Sequence, residues 1–166
     1  MSGEILNNVT VCFTGHRTIK TDGISDVIEK LDIVIERCIS KGYKCFLSGG
    51  ALGFDTLAAH CVIKAREKHP DVKLLLILPC RDQTKLWKSL PDINEYRYLK
   101  ESADDIIYIQ DFYDAKCMMK RNIYMVENSS LCISYFDGRA GGTSNTINYA
   151  KENGVAVINL FTGHRR

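Results

Sequence analysis

Tyr43-Lys44-Cys45-Phe46-Leu47-Ser48-Gly49-Gly50-Ala51-Leu52-Gly53-Phe54-Asp55 carries the reading of the whole chain. A short apolar run ends in a serine and two glycines, and a third glycine leads into a stretch with helical spacing. That stretch, about 54–68, puts Phe54, Leu57, Ala58, Cys61, Val62 and Ala65 on one face and stops at His69-Pro70. The unit is strand, glycine loop, helix, and the chain repeats it on both sides.

Upstream, 9–14 is β-branched and apolar and ends at Gly15. A helix is expected over about 22–41, with Ile24, Val27, Ile28, Leu31, Val34, Ile35 and Cys38 on one face. Thr21 or Asp22 can cap its start, and Gly42 stands where a left-handed C-cap belongs. Downstream, 72–78 is a continuous apolar strand ending at Pro79, as suits a strand buried on both faces of a parallel sheet. One or two short helices interrupted at Pro91 are expected within 80–104. A strand at 106–109, a helix at 115–127, a strand at 131–136, a loop at 137–142, a helix at 143–153 closed by Gly154 and a strand at 155–160 complete the alternation. This predicts one domain over 1–166, an α/β, three-layer, Rossmann-like fold with a mostly parallel six-stranded sheet.

Composition agrees with a packed domain: 45% of residues are apolar and 25% charged, which argues against disorder, collagen and coiled coil. With 22 basic and 20 acidic residues the net charge is +2, too little for a strong field toward duplex nucleic acid or an anionic membrane. The terminal His164-Arg165-Arg166 is too short to count as a basic patch. The seven cysteines are odd in number and include no C-x-x-C, so neither a zinc site nor a full disulfide framework is expected. No metal or cofactor is implied. The chain opens without a signal-peptide pattern and has no membrane-length apolar run, so a cytoplasmic location is expected.

In an open parallel sheet, ligands bind beyond the carboxyl ends of the strands, near the switch in strand order. The loops on that edge are Gly15-His16-Arg17, Ser48 through Asp55, Pro79-Cys80-Arg81-Asp82, and Asp137 through Thr143. Two of them, 48–53 and 138–142, run into helices, whose free N–H groups and positive dipole ends favour anions. They match neither G-x-G-x-x-G nor G-x-x-x-x-G-K-[ST], which disfavours dinucleotide or P-loop binding of those types. Arg17 or Arg81 can add charge-assisted bonds. Asp55 either complements its helix dipole, accepts from a ribose or braces the glycine loop. His16 and Asp137 are further polar candidates on the edge. Periodicity alone puts Arg121 and Asn122 toward solvent or beside the core. Ordinary packing accounts for Trp87, Tyr96 and Tyr98, with stacking on a base as the alternative. Bulk at Gly53, as in Gly53→Glu, is expected to block binding without unfolding the chain.

Thr14-Gly15-His16-Arg17, Ser48-Gly49-Gly50-Ala51-Leu52-Gly53-Phe54-Asp55, Arg121-Asn122 and Gly141-Gly142-Thr143 together resemble the SLOG superfamily, which includes the DprA and LOG proteins, and within it the YpsA-like branch. The resemblance covers about 9–160. It implies a Rossmann-like fold binding nucleotides or nucleotide-derived ligands, in sensors, binding proteins or hydrolases. It also implies a pocket lined by Gly15, Arg17, Gly49, Gly50, Gly53, Asp55, Arg121, Asn122, Gly141, Gly142 and Thr143. LOG-type hydrolases carry P-G-G-x-G-T-x-x-E, and here the glutamate position falls on Asn148 or Thr146. Neither can act as a carboxylate, so a binding role for a small, ADP-ribose-like ligand is expected ahead of N-glycosidic hydrolysis, for which Asp55, Asp137 and His16 would be the acid–base candidates. DprA-type members bind single-stranded DNA, a reading placed lower by the charge balance. A protein partner and a homodimer stay open.

Overall fold

The computed structural model describes residues 5–163; the expectations for the extreme N-terminus and for His164-Arg165-Arg166 lie outside them. Six strands form one parallel sheet in the order β4-β3-β2-β1-β5-β6. They are β1 (Thr10–Gly15), β2 (Cys45–Ser48), β3 (Lys73–Cys80), β4 (Asp105–Gln110), β5 (Leu131–Tyr135) and β6 (Ala156–Asn159). Between them run α1 (Ile24–Ser40), α2 (Phe54–Arg66), α3 (Leu90–Ser102), α4 (Cys117–Glu127) and α5 (Gly142–Glu152). The chain steps outward from β1 to β4, then returns through α4 to place β5 on the other side of β1. The switch in strand order therefore lies between β1 and β5.

The absence of polar alternation in the strands has its physical reason in two cores. Val11, Phe13, Phe46, Leu74, Leu76 and Leu78 pack with Leu31 of α1, Ala58 of α2 and Leu99 of α3. Their strand neighbours Cys12, Leu47, Leu75, Ile77 and Cys132 pack with Met125 and Val126 of α4 and Ala150 of α5. Successive side chains point to opposite faces, and both faces are covered. Six of the seven cysteines are buried thiols and Cys45 is half-buried; none is paired.

Three boundaries differ from expectation. Neither Thr21 nor Asp22 caps α1: Thr21–Gly23 forms a 3-10 turn that feeds the helix, and Gly23 is the N-cap. Pro91 does not interrupt a helix. It sits in the first turn of α3, where its missing N–H is not needed, and Ser89 caps that helix by accepting from the Asp92 amide at 3.3 Å. Pro79 does not end β3, which runs on to pair Cys80 with Gln110 of β4.

Candidate functional site

Both glycine loops lie on the carboxyl rim of the sheet, but they are built differently. Gly53 has φ +81°, and a Cβ there would stand 2.3 Å from the Arg17 carbonyl oxygen and 2.6 Å from that of His16. The β1 loop presses directly on it, and the Phe54 amide donates to the His16 carbonyl at 3.1 Å. A Cβ on Gly49 would meet the Arg121 guanidinium at 2.5 Å and the Asp55 carboxylate at 2.8 Å. One on Gly15 would enter the Phe54 ring. These glycines serve chain-to-chain approach. Around Gly141 and Gly142, by contrast, an added Cβ would meet nothing within 4 Å.

Asp55 braces the glycine loop and also stands in the first turn of its helix. It is buried in the first turn of α2, and its Oδ2 accepts the Ala51 amide at 3.4 Å. Ser48 accepts the Gly50 amide at 3.4 Å and donates to the Asp55 carbonyl at 3.1 Å. The first loop thus turns amides toward the chain's own oxygens. Burial pushes the Asp55 carboxyl up to about 6, against the pull of Arg121, the Ala51 amide and Arg17.

Arg121 is the largest departure from expectation. It is 3% exposed, donates through its guanidinium to the Gly49 carbonyl, and holds Asn122 Oδ1 with its Nε at 2.7 Å. Burial alone would be costly, but the carboxylate across Gly49 and these acceptors compensate the charge. Its burial follows the four-residue spacing it shares with the buried Cys117 and Met125, while its acceptor at Gly49 lies on a different strand–loop unit.

His16 joins the two sides of the switch. Its Nε2 lies 3.0 Å from the Asp137 amide nitrogen and 2.9 Å from Asp137 Oδ1. Neutral, that nitrogen accepts from the amide; protonated, it donates to the carboxylate. The same carboxylate accepts from the Arg139 amide at 3.1 Å and from Arg139 Nε at 2.7 Å, so Asp137 orders the loop and leaves the crevice wall to others.

Between β1 and β5 a crevice of about 320 Å³ is lined by Gly15, His16, Arg17, Asp55, Arg121, Asn122, Gly142 and Thr143, with Ala51 and Met118. It continues outward as a hollow of about 260 Å³ bounded by Arg17, Thr18, Arg139, Gly141, Gly142 and Thr143. Ser48, Gly49, Gly50 and Gly53 are brought near but stand behind the wall. Arg81 is not brought there: it pairs with Asp111 at 3.0 Å over the Tyr108 ring, on the β3–β4 side. Thr146 is buried and bonded to the Gly142 carbonyl at 2.8 Å, and Asn148 is exposed on α5. Neither lines the crevice. Sequence reasoning missed Met118 and Arg139. Met118 is readable, since it precedes Arg121 and Asn122 by one helical turn.

The sequence matches a known family over residues 11–156. The chain belongs to the YspA SLOG family. A relative within reach is the SPbeta prophage-derived protein YoqJ of Bacillus subtilis (strain 168), 37% identical over 138 residues, covering 75% of this chain and 80% of YoqJ. Among solved structures, DNA processing protein A (DprA) from Streptococcus pneumoniae superposes with a TM-score of 0.64 at 15% identity, over 89% of this chain. DprA from Helicobacter pylori, described for its single-stranded DNA binding mode, gives 0.63 at 18% identity over 90%. At these identities the likeness is one of fold. The chain spans 48% and 63% of those two proteins, less than two thirds of either. Within the described residues of this SLOG chain, no helix is long and apolar enough to cross a membrane.

Proposed function

We propose that this SLOG protein binds a nucleotide or nucleotide-derived, ADP-ribose-like ligand at the β1/β5 switch, in a sensing, regulatory or sequestering role. The observation that carries the reading is the open α5 end of the crevice. There Gly142 and Thr143 start a helix, nothing stands within 4 Å of a Cβ on Gly141 or Gly142, and the exposed Arg17 lies opposite. A phosphate there would meet helix-start amides and a guanidinium together. The crevice floor, with Arg121 and Asn122 locked by their own hydrogen bonds, offers fixed polar groups that need no reordering on binding.

Hydrolysis is the second reading. Asp55 favours it, as a crevice-lining carboxyl raised to about 6 and so able to exchange a proton near neutral pH. Calorimetry of the folded protein against ADP-ribose, nucleoside mono- and diphosphates and a short single-stranded DNA tests both. Binding of a small nucleotide without base release supports the first reading. Base release lost in Asp55→Asn with the fold intact moves the assignment to the second. Binding of DNA alone, with steep salt dependence, or of nothing overturns both.

A further inference from the structure

On one face of the sheet the helices stop short of its β6 edge. On the other face Val157 of β6 packs with Ala150 of α5. The next residue, Ile158, points to the α1 side and is 40% exposed, while Ile33 of α1 is 46% exposed. Both line a groove of about 510 Å³ between α1 and β6. Its floor is apolar and already packed: Val34 and Cys38 of α1, Leu131 of β5, and Leu160 just beyond β6 are all buried.

The charges of α1 are sorted about this groove. Asp32 and Glu36 turn the other way, pairing with Lys64 of α2 at 2.7 Å and with His69 at 2.9 Å. Lys30, Arg37 and Lys41 line the groove, and no carboxylate does. Lys30 pairs with Asp26 at 2.8 Å and donates to Thr162 Oγ1 at 2.6 Å, so the chain leaving β6 closes one end. Arg37 and Lys41 are exposed and have no salt-bridge partner among the described residues. Lys30 to Lys41 spans about 16 Å along the helix axis, roughly three turns.

We propose that the α1/β6 groove docks an amphipathic helix of a partner protein, one that carries acidic residues beside its apolar stripe. Such a helix completes the layer that stops short of β6. Its apolar face covers Ile33 and Ile158, and its carboxylates meet Arg37 and Lys41. A concave floor with cations along one wall suits a rod of this length, whereas a lipid surface calls for a flat or convex face. Two copies meeting groove to groove would set like charges together. The groove shares no lining residue with the β1/β5 crevice, so the proposal stands apart from the ligand reading.

The test begins with selection of a displayed library of random peptides, long enough for three to four helical turns, on the wild-type protein. The enriched peptide is then synthesised, labelled and titrated by fluorescence anisotropy. Enriched sequences should place apolar residues at helical spacing with Asp or Glu beside them, and the peptide should gain helical circular dichroism on binding. Arg37→Glu combined with Lys41→Glu should weaken it at least about tenfold at low salt, with a smaller gap at high salt. Ile33→Ser and Ile158→Ser should each weaken it about three- to tenfold at either salt. Melting curves check folding; should Ile158→Ser unfold the edge strand, Ile33→Ser still reads the apolar contact. No enrichment, enrichment of sequences without acidic residues, or equal binding by the charge-reversed protein overturns the proposal. A wild-type dimer in ultracentrifugation that Ile33→Ser dissociates also overturns it, by making the groove a self-interface. Sedimentation with phosphatidylserine vesicles, lost in the same variants, overturns it in favour of a membrane.

Discussion

Residues 48–53 and 137–142 both carry glycines from the end of a parallel strand toward a helix on the same rim, yet the first loop faces inward and the second faces out. In the first, Gly49 and Gly53 have no space for a Cβ, and their surroundings are the β1 loop, Arg121 and Asp55. In the second, Gly141 and Gly142 stand beside open space. The same residue type answers two different demands: close approach of the chain to itself, and close approach of something else to the chain. A glycine loop before a helix is therefore not an anion site until its amides are shown to be free. Here the chain's own Asp55 carboxylate takes the place an external anion would have in the first loop.

The sharpest way to break this contrast is at Gly53. Gly53→Ala adds a Cβ at φ +81° against two carbonyl oxygens, and should cost about 2–6 kcal/mol, summing backbone strain and overpacking. Urea unfolding measures it. The expectation that Gly53→Glu would spare the fold is corrected by the same geometry. A Gly53→Ala protein as stable as wild type would remove the inward-facing character of the first loop.

Arg121→Met is next. It strands the Asp55 carboxylate in a buried position, which should cost about 3–5 kcal/mol. Adding Asp55→Leu should recover part of that loss, since the pair rather than either charge is what the site tolerates. A double-mutant cycle reads the coupling directly. If the two losses simply add, Arg121 and Asp55 act independently.

Arg17→Ala should reverse the pattern. The side chain is exposed, so stability should stay within about 0.5 kcal/mol. Affinity for a phosphate-bearing ligand should fall by about 1.5–3 kcal/mol if one charged hydrogen bond is lost. Calorimetry beside thermal melting separates the two.

The pH dependence follows from Asp55, whose folded-state value of about 6 lies above its ordinary 3.8. The folded protein binds this proton more tightly than the unfolded chain. The stability it contributes is full below about 3.8 and lost as pH rises through 6. Anion affinity should likewise rise as pH falls through 6, because neutralising Asp55 removes a negative charge from the crevice. Both trends should flatten in Asp55→Asn. Titrating melting temperature and affinity from pH 4 to 8 tests it.

The smallest effect belongs to the open loop. Gly142→Ala should leave stability within about 0.5–1 kcal/mol of wild type, with a tendency to stabilise the helix start. Its effect should appear in ligand affinity instead.

The alternation of apolar runs and amphipathic stretches determined the parallel α/β architecture, because each period is a local property of the chain and each buried face needs a partner layer. The glycine-rich strand ends likewise determined which rim carries Gly15, Arg17, Gly142 and Thr143. Sequence could not decide that Arg121 meets the Gly49 carbonyl or that Arg81 faces away to Asp111. Each depends on groups far apart in the chain, whose compensation of charge or hydrogen bonding exists only once the strands are in register. Local patterning specifies which face of an element avoids water; only tertiary contact specifies which polar group a buried polar group will meet.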